Sequence, residues 1–386
     1  MFKNWKIKKK LFCFNWNILL KSFSTFLIFW STVWIFSNTF FGPIFAYIPM
    51  KLTNCQQWNT CLGNVKSALL KNQLNSAIID EINSSEQNVK LKFYGSILTS
   101  QLHYENFHAF LKVNEGNHVP HYKISTYFFL NNNNNNKWII MTHGISCDWT
   151  YSFLFALSFF KNYNVILYDS YGVNSEKKDS FGNLGTSGNC STFGKYEQYG
   201  LHTIVKWIYN MNKSAEIGLF GLSMGASTTL LYLENFHDES SKLVKFAISD
   251  AAYKDAAEEM GYVGSSFVDI PSFFFTPGGS LYLSFFAGYN PYSINIIKNI
   301  KKIDKDKKLF FIQGSSDNFV PFKKNFYQLV DEAKKCKLDT DQLVEEHGTH
   351  GEDLSWNRST IRADEMATDG TFYTCLDRFA RMGFGE

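Results

Sequence analysis

From Tyr122 onward the chain repeats one pattern: a short run of β-branched and aromatic residues, a break rich in Gly, Ser or Asn, then a longer stretch with apolar residues at helical spacing. The short runs predict strands at Tyr122–Leu130, Trp138–Thr142, Val165–Asp169, Glu216–Gly221, Val244–Asp250, Leu309–Gln313 and Leu343–Glu346. The helical stretches fall at Thr150–Lys161, Lys195–Met211, Ala226–Glu234 and Asn318–Lys335. Strand and helix in alternation imply an α/β fold, a mostly parallel sheet with helices on both faces. The earliest runs, Val89–Tyr94, Phe107–Val113 and Tyr122–Leu130, precede the helical alternation that begins at Trp138 and suit an antiparallel edge. Ligands in such sheets bind at the carboxyl ends of the strands.

Upstream the pattern changes. Leu62–Asn83 has helical periodicity and few breakers, and reads as a linker helix over a segment at 51–87. Residues 23–50 carry no charge, and this stretch of 28 exceeds the ~20 residues a helix needs to cross the hydrocarbon of a bilayer. Residues 1–50 are therefore expected to form a basic N-terminus and a transmembrane anchor, followed by the catalytic domain at 88–386. Trp30, Trp34, Phe36, Phe40 and Phe41 suit an interfacial belt. A cleaved signal peptide and a buried core helix are the rival readings, the first weakened by Ile44 at the position that wants a small residue if cleavage follows Ala46.

Charge sharpens this division. Residues 1–50 hold Lys3, Lys6, Lys8, Lys9, Lys10 and Lys21 and no acid, so the +3 of the whole chain becomes −3 on the remainder. Lysines before the apolar stretch put the N-terminus in the cytoplasm and the domain outside the cell membrane. The balance gives no nucleic-acid surface. With 45% apolar residues and 38 Phe the chain can bury a large core. Seven cysteines permit disulfides without requiring them, and none of their spacings resembles a zinc site, so no metal or cofactor is expected. The run Asn131–Asn136 reads as a hairpin tip or loop.

The chemistry concentrates at predicted strand ends. Gly221-Leu222-Ser223-Met224-Gly225 places a serine between two glycines, after a strand and before a helix. This is the pattern of a nucleophile elbow, although the spacing alone arises by chance in roughly one chain of this length in eight. The turn His143-Gly144-Ile145 can offer the backbone N–H of Ile145, with that of Met224, to an oxyanion. The His143 side chain itself reads as a structural brace. Asp317, on the loop Gly314–Pro321, is the candidate acid, in competition with an N-cap role for the helix after it and with Asp250 as reserve. Two histidines, His347 and His350, compete for the base, and His350, between Gly348 and Gly351, is preferred. The chain order Ser223, Asp317, His350 is that of an α/β-hydrolase triad.

Over residues 88–380 the chain resembles the α/β-hydrolase superfamily, most closely the bacterial membrane-associated branch related to serine aminopeptidases and prolyl-oligopeptidase-like hydrolases. The resemblance runs through His143-Gly144, Asn164–Asp169 with Gly172, Gly194–Glu197, Ile217–Gly225, Ser249-Asp250, Gly314–Pro321 and Gly348–Gly351. Two positions depart from it: Tyr171 stands where relatives carry arginine, and Gly200 where many carry an acid. The resemblance implies an α/β-hydrolase fold and a lid insertion over about 252–306. It also implies serine acyl transfer without a cofactor.

Phe267, Phe274 and Phe285 of that insertion are expected to line an apolar substrate pocket. Asp255, Glu258 and Glu259 complicate this, because an inward carboxylate would instead suit a peptide's amine. The expectation is a membrane-anchored serine esterase or lipase acting on a small acyl ester. A serine peptidase, or a non-catalytic relative binding lipid or a partner, are the alternatives.

Overall fold

The computed structural model describes residues 30–39, 42–43, 104–351 with short internal gaps, 361–362 and 372–386. The strand expected at Val89–Tyr94 and the helix at Leu62–Asn83 lie outside the described residues. Nine strands form one sheet in the order β1-β2-β4-β3-β5-β6-β7-β8-β9. They are β1 Tyr104–Val113, β2 Tyr122–Asn131, β3 Lys137–Thr142, β4 Asn164–Tyr168, β5 Glu216–Leu222, β6 Val244–Asp250, β7 Lys308–Gly314, β8 Asp339–Glu345 and β9 Ile361–Arg362. The strands β3 to β8 run parallel, while β1 and β2 form the antiparallel edge that the unbroken early runs predicted. This order and direction are those of the α/β-hydrolase fold. The Asn run links β2 to β3, which are not neighbours in the sheet, so it is a loop connection and no hairpin.

The central strands read as nearly continuous apolar runs because both faces are covered. In chain order α1 (30–39) and α2 (Trp149–Ala156) are followed by α3 (Glu197–Met211), α4 (Met224–Asn235) and α7 (Phe322–Lys335), and the last three cover one face of the sheet. The other carries α2 and a C-terminal helix, α8 (Phe372–Phe384), where Phe155, Phe159, Phe220, Phe310 and Phe379 pack together. Helix α7 shows the mechanism plainly. Its Phe322, Phe326, Leu329, Val330 and Ala333 are buried at helical spacing, and Lys334 and Lys335 sit in its last turn, where the helix dipole favours cations.

The insertion between β6 and β7 contains α5 (Ala256–Val268) and α6 (Thr276–Phe286). Helix α1 packs against it. Trp34 Nε1 donates to the Phe273 carbonyl at 2.9 Å, and the Gly278 amide donates to Asn38 Oδ1 at 2.8 Å. The backbones approach so closely that a Cβ on Gly278 would lie within 1.8 Å of the Asn38 carbonyl oxygen. This corrects the transmembrane expectation for the described part of the segment. At a rise of ~1.5 Å per residue α1 spans half the hydrocarbon thickness, and among the described residues no helix is long and apolar enough to cross a membrane. Its polar Asn38 is buried against the lid instead.

Both departures from the family pattern find a packing reason. Tyr171 is buried between Tyr122 and Tyr196, with ring centroids 4.8 and 5.3 Å away. A Cβ on Gly200 would meet the Tyr122 hydroxyl at 3.1 Å, and that hydroxyl donates to the Tyr196 carbonyl at 2.8 Å. An aromatic cluster fills the space around both positions.

Candidate active site

Ser223 follows β5 directly and precedes the first residue of α4. Its backbone is held at φ 57°, ψ −119°, a conformation that side-chain-bearing residues rarely adopt. The flanking glycines are required by distance. A Cβ on Gly225 would lie 2.1 Å from the Thr142 carbonyl oxygen at the end of β3, and one on Gly221 would lie 2.3 Å from the Gly225 carbonyl oxygen. The elbow is pinned from below, where the Ser223 amide donates to the Asp250 carbonyl at 2.7 Å. Asp250 thus supports the elbow through its main chain.

The acid and base loops are stitched into one unit. The Ser315 amide donates to the Glu345 carbonyl at 2.7 Å, the Ser316 amide to the Gly348 carbonyl at 2.9 Å, and the His347 amide to Ser315 Oγ at 2.9 Å. His350 Nδ1 then donates to Asp317 Oδ2 at 2.9 Å. Asp317 is buried, and its two oxygens accept further bonds from Gln313 Nε2 at 3.0 Å and from the amides of Phe319 and Val320 at 2.9 Å each. Helix α7 begins at Phe322 with Pro321 as its cap residue, so Asp317 does not cap it. The ring of Phe319 lies against the imidazole, with centroids 5.0 Å apart. His347 is exposed, with its backbone in the left-handed region at φ 67°, and the structure pairs it with no acid among the described residues. His350 is therefore the histidine brought to Asp317.

The base loop reaches the elbow. A Cβ on Gly351 would lie 3.7 Å from Leu222 Cδ2, beside the nucleophile, and the Tyr151 hydroxyl anchors the Gly351 carbonyl at 2.7 Å. Ser223 is only 3% exposed, and among the described residues its hydroxyl makes no hydrogen bond. A serine–imidazole hydrogen bond of the kind a triad needs often tightens only when substrate arrives.

Facing the serine, a Cβ on Gly144 would approach Ser223 Cβ to 3.3 Å, so the Gly144 backbone passes close to Ser223. Met224, at the start of α4, has an amide without an intrahelical acceptor. His143 is fully buried. Its Nδ1–H donates to the Gly144 carbonyl at 2.8 Å and its Nε2 accepts from the Ser170 amide at 2.9 Å, which fixes the neutral tautomer. Burial lowers its pKa from the ordinary histidine value.

The expected pocket residues do not gather here. Phe285 is 77% exposed, and Phe274 packs against Trp30 of α1 and against Phe273. Phe267 falls on α5, with its side chain outside the described set. An aromatic-rich composition marks a lid but does not say which way its rings turn. Of the lid acids, Asp255 caps α5 through the Glu258 amide at 2.8 Å, and Glu258 pairs with Lys254 at 2.9 Å. Glu259 is buried, and burial together with the Asp317 charge pushes its carboxyl well above the usual range. Helix α5 nonetheless touches the acid loop, where the Tyr262 hydroxyl donates to the Asn318 carbonyl at 3.2 Å. Cys190 and Cys336 are free thiols, and the described residues contain no metal-ligating cluster.

No protein-family model matches the chain. It is 26% identical over 226 residues to the uncharacterized protein YqkD of Bacillus subtilis, covering 58% of this chain and 68% of that one. Among solved structures it is similar to the esterase Pf2001 of Pyrococcus furiosus, with a TM-score of 0.48 and 22% identity over 65% of this chain and 86% of that one. It is also similar to the acylaminoacyl peptidase of Pyrococcus horikoshii, with a TM-score of 0.48 and 15% identity over 75% of this chain and 42% of that one. For dipeptidyl peptidase 4 of Porphyromonas gingivalis the TM-score is 0.48 and the identity 14%, over 78% of this chain and 38% of that one.

Proposed function

We propose that this chain is a serine hydrolase that cleaves carboxylic esters at a membrane surface through Ser223, His350 and Asp317. One observation carries the reading: His350 donates to a buried, fourfold hydrogen-bonded Asp317 in a loop that closes on a serine held in a strained elbow. With Nδ1–H committed to Asp317, the imidazole presents Nε2 to the serine. Ser223 Oγ attacks the ester carbonyl carbon while its proton passes to His350 Nε2, and Asp317 stabilises the resulting cation. The tetrahedral oxyanion accepts hydrogen bonds from the amides of Ile145 and Met224. His350 returns the proton to the departing alkoxide, leaving an acyl-enzyme and an alcohol. Water, deprotonated by the same histidine, then releases the acid and restores the serine.

Esters are favoured over peptides because the three acids at the start of the insertion offer no counter-charge to an amine: Asp255 caps a helix, Glu258 is paired, and Glu259 is held toward its neutral form. The six lysines of residues 1–21, in a stretch 1–50 without an acid, support the location at a membrane surface. A fluorophosphonate probe tests the chemistry. Wild-type protein is expected to label and Ser223→Ala to stay blank, while an unlabelled wild type would favour a non-catalytic binding role. Parallel turnover of p-nitrophenyl esters and aminoacyl amides tests the substrate class, and faster amide cleavage would reassign it to the peptidases.

A further inference from the structure

The apolar surface of this molecule is concentrated on two adjoining elements. On α1, Trp34 and Ile35 are 40% and 58% exposed, and on the lid Phe273, Leu281, Phe285 and Phe286 are 56–77% exposed. These six include the two most exposed large hydrophobic residues among the described residues, Phe285 and Phe286. The two elements are not independent. Trp34 donates to the Phe273 carbonyl, Asn38 bridges the Phe273 carbonyl and the Gly278 amide, and a Cβ on Gly42 would meet the Gly279 nitrogen at 2.5 Å. Glycines at the crossing let the two backbones touch, so α1 and the lid move as a pair.

An exposed apolar patch of this kind needs a partner. We infer that the lid itself, joined to α1, beds into the interface of an anionic phospholipid bilayer. Two observations select that occupant. The exposed set is Trp and Phe with Leu and Ile, the residues that settle at the headgroup–acyl boundary. The chain leading into α1 carries six lysines and no acid, the complement of an anionic leaflet, whereas a protein surface of matching apolar shape has no need of them. Helix α6 supplies the exposed pair Leu281 and Phe285 at i and i+4 on one side, while its Leu283 is buried and ties it to the domain. A bilayer holding that outer side would keep the lid next to the substrate's own phase. The substrate class is then a lipid ester presented by the membrane; this part rests on the hydrolase reading, whereas the binding surface does not.

The test uses the full chain and the double variant Phe285→Ser/Phe286→Ser, whose positions are exposed and outside the catalytic machinery. Co-sedimentation is measured with vesicles of phosphatidylcholine alone and of phosphatidylcholine with phosphatidylglycerol. Wild type is expected to partition onto the anionic vesicles, and the double variant to lose at least about tenfold in partitioning, since two phenyl rings no longer leave water. Turnover of a soluble short-chain ester and fluorophosphonate labelling should stay unchanged in the variant, which shows that it is folded. Vesicle-embedded ester turnover should fall with binding. Equal binding of wild type and variant would overturn the lid's role, and equal binding to neutral and anionic vesicles would overturn the choice of surface. A wild type that binds vesicles but neither labels nor turns over any ester would sink the hydrolase reading and leave the surface standing.

Discussion

The Asp317 and His350 loops and the lid touch, yet they are built on opposite principles. The loops are polar and densely bonded: four hydrogen bonds converge on Asp317, and two backbone bonds and one amide-to-hydroxyl bond sew its loop to that of His350. The lid is apolar and under-covered, with Phe285 and Phe286 among the most exposed large residues of the domain. A buried polar network has one low-energy arrangement, because each broken bond leaves a costly unsatisfied group. An aromatic surface has many. On the proposed reading, Asp317 and His350 are held by the bonded part of the molecule, and Ser223, only 3% exposed, would depend on the insertion for access.

The sharpest way to break this contrast is at the rigid end. Ser223→Ala should abolish fluorophosphonate labelling, and Asp317→Asn should cut ester turnover by about 10⁴-fold, since an amide in place of the carboxylate presents a donor where His350 and three other groups already donate. Measured turnover of the purified variants decides this, and Asp317→Asn with activity near wild type would demote the loop to a structural feature. His347→Ala, by contrast, should leave turnover near wild type. Next comes backbone crowding. Gly225→Ala drives a methyl into the Thr142 carbonyl and should cost about 1–3 kcal/mol in denaturant unfolding, with loss of labelling in whatever remains folded. On the lid, Phe285→Ser should change stability by less than about 0.5 kcal/mol, because the ring is already in water.

The smallest effect is electrostatic and lies beneath the oxyanion loop. His143 is held neutral, with its pKa lowered by burial. Its contribution to stability is complete above the unfolded value of 6.5 and is lost as pH falls below it toward the folded value, because the unfolded chain then binds the proton that the native one refuses. Buried Glu197, Glu234 and Glu259 have raised pKa values and act in the opposite sense, since protonation suits their folded environment. The measurement is therefore a difference. Between pH 7.5 and 5, wild type should lose more stability than His143→Gln, which retains a donor and an acceptor but does not titrate.

The same contrast governs what could be read from the residues alone. Strand positions, elbow and the chain order of Ser223, Asp317 and His350 are local, written in short apolar runs and in turns rich in glycine. The choice of His350 over His347 was legible as loop flexibility, and the structure brings His350 to Asp317. What the chain hides is the direction of an apolar side chain. Phe274 and Phe285 have the composition of a pocket lining, yet one packs on Trp30 and the other faces water. Helix α8 was missed although its signal was present, in the apolar spacing of Phe372, Cys375, Leu376, Phe379 and Ala380 that matches a helix covering β5 and β6. The apolar stretch 23–50 pointed to a bilayer, and hydropathy could not reveal that Asn38 has a place waiting for it on the domain.

That place has a practical side. A chain shortened past Asn38 to improve handling would strand the Phe273 carbonyl and the Gly278 amide and leave the glycine crossing empty. Such a trimmed enzyme would carry an unmoored cover, and any substrate preference measured on it would belong to the trimming as much as to the protein.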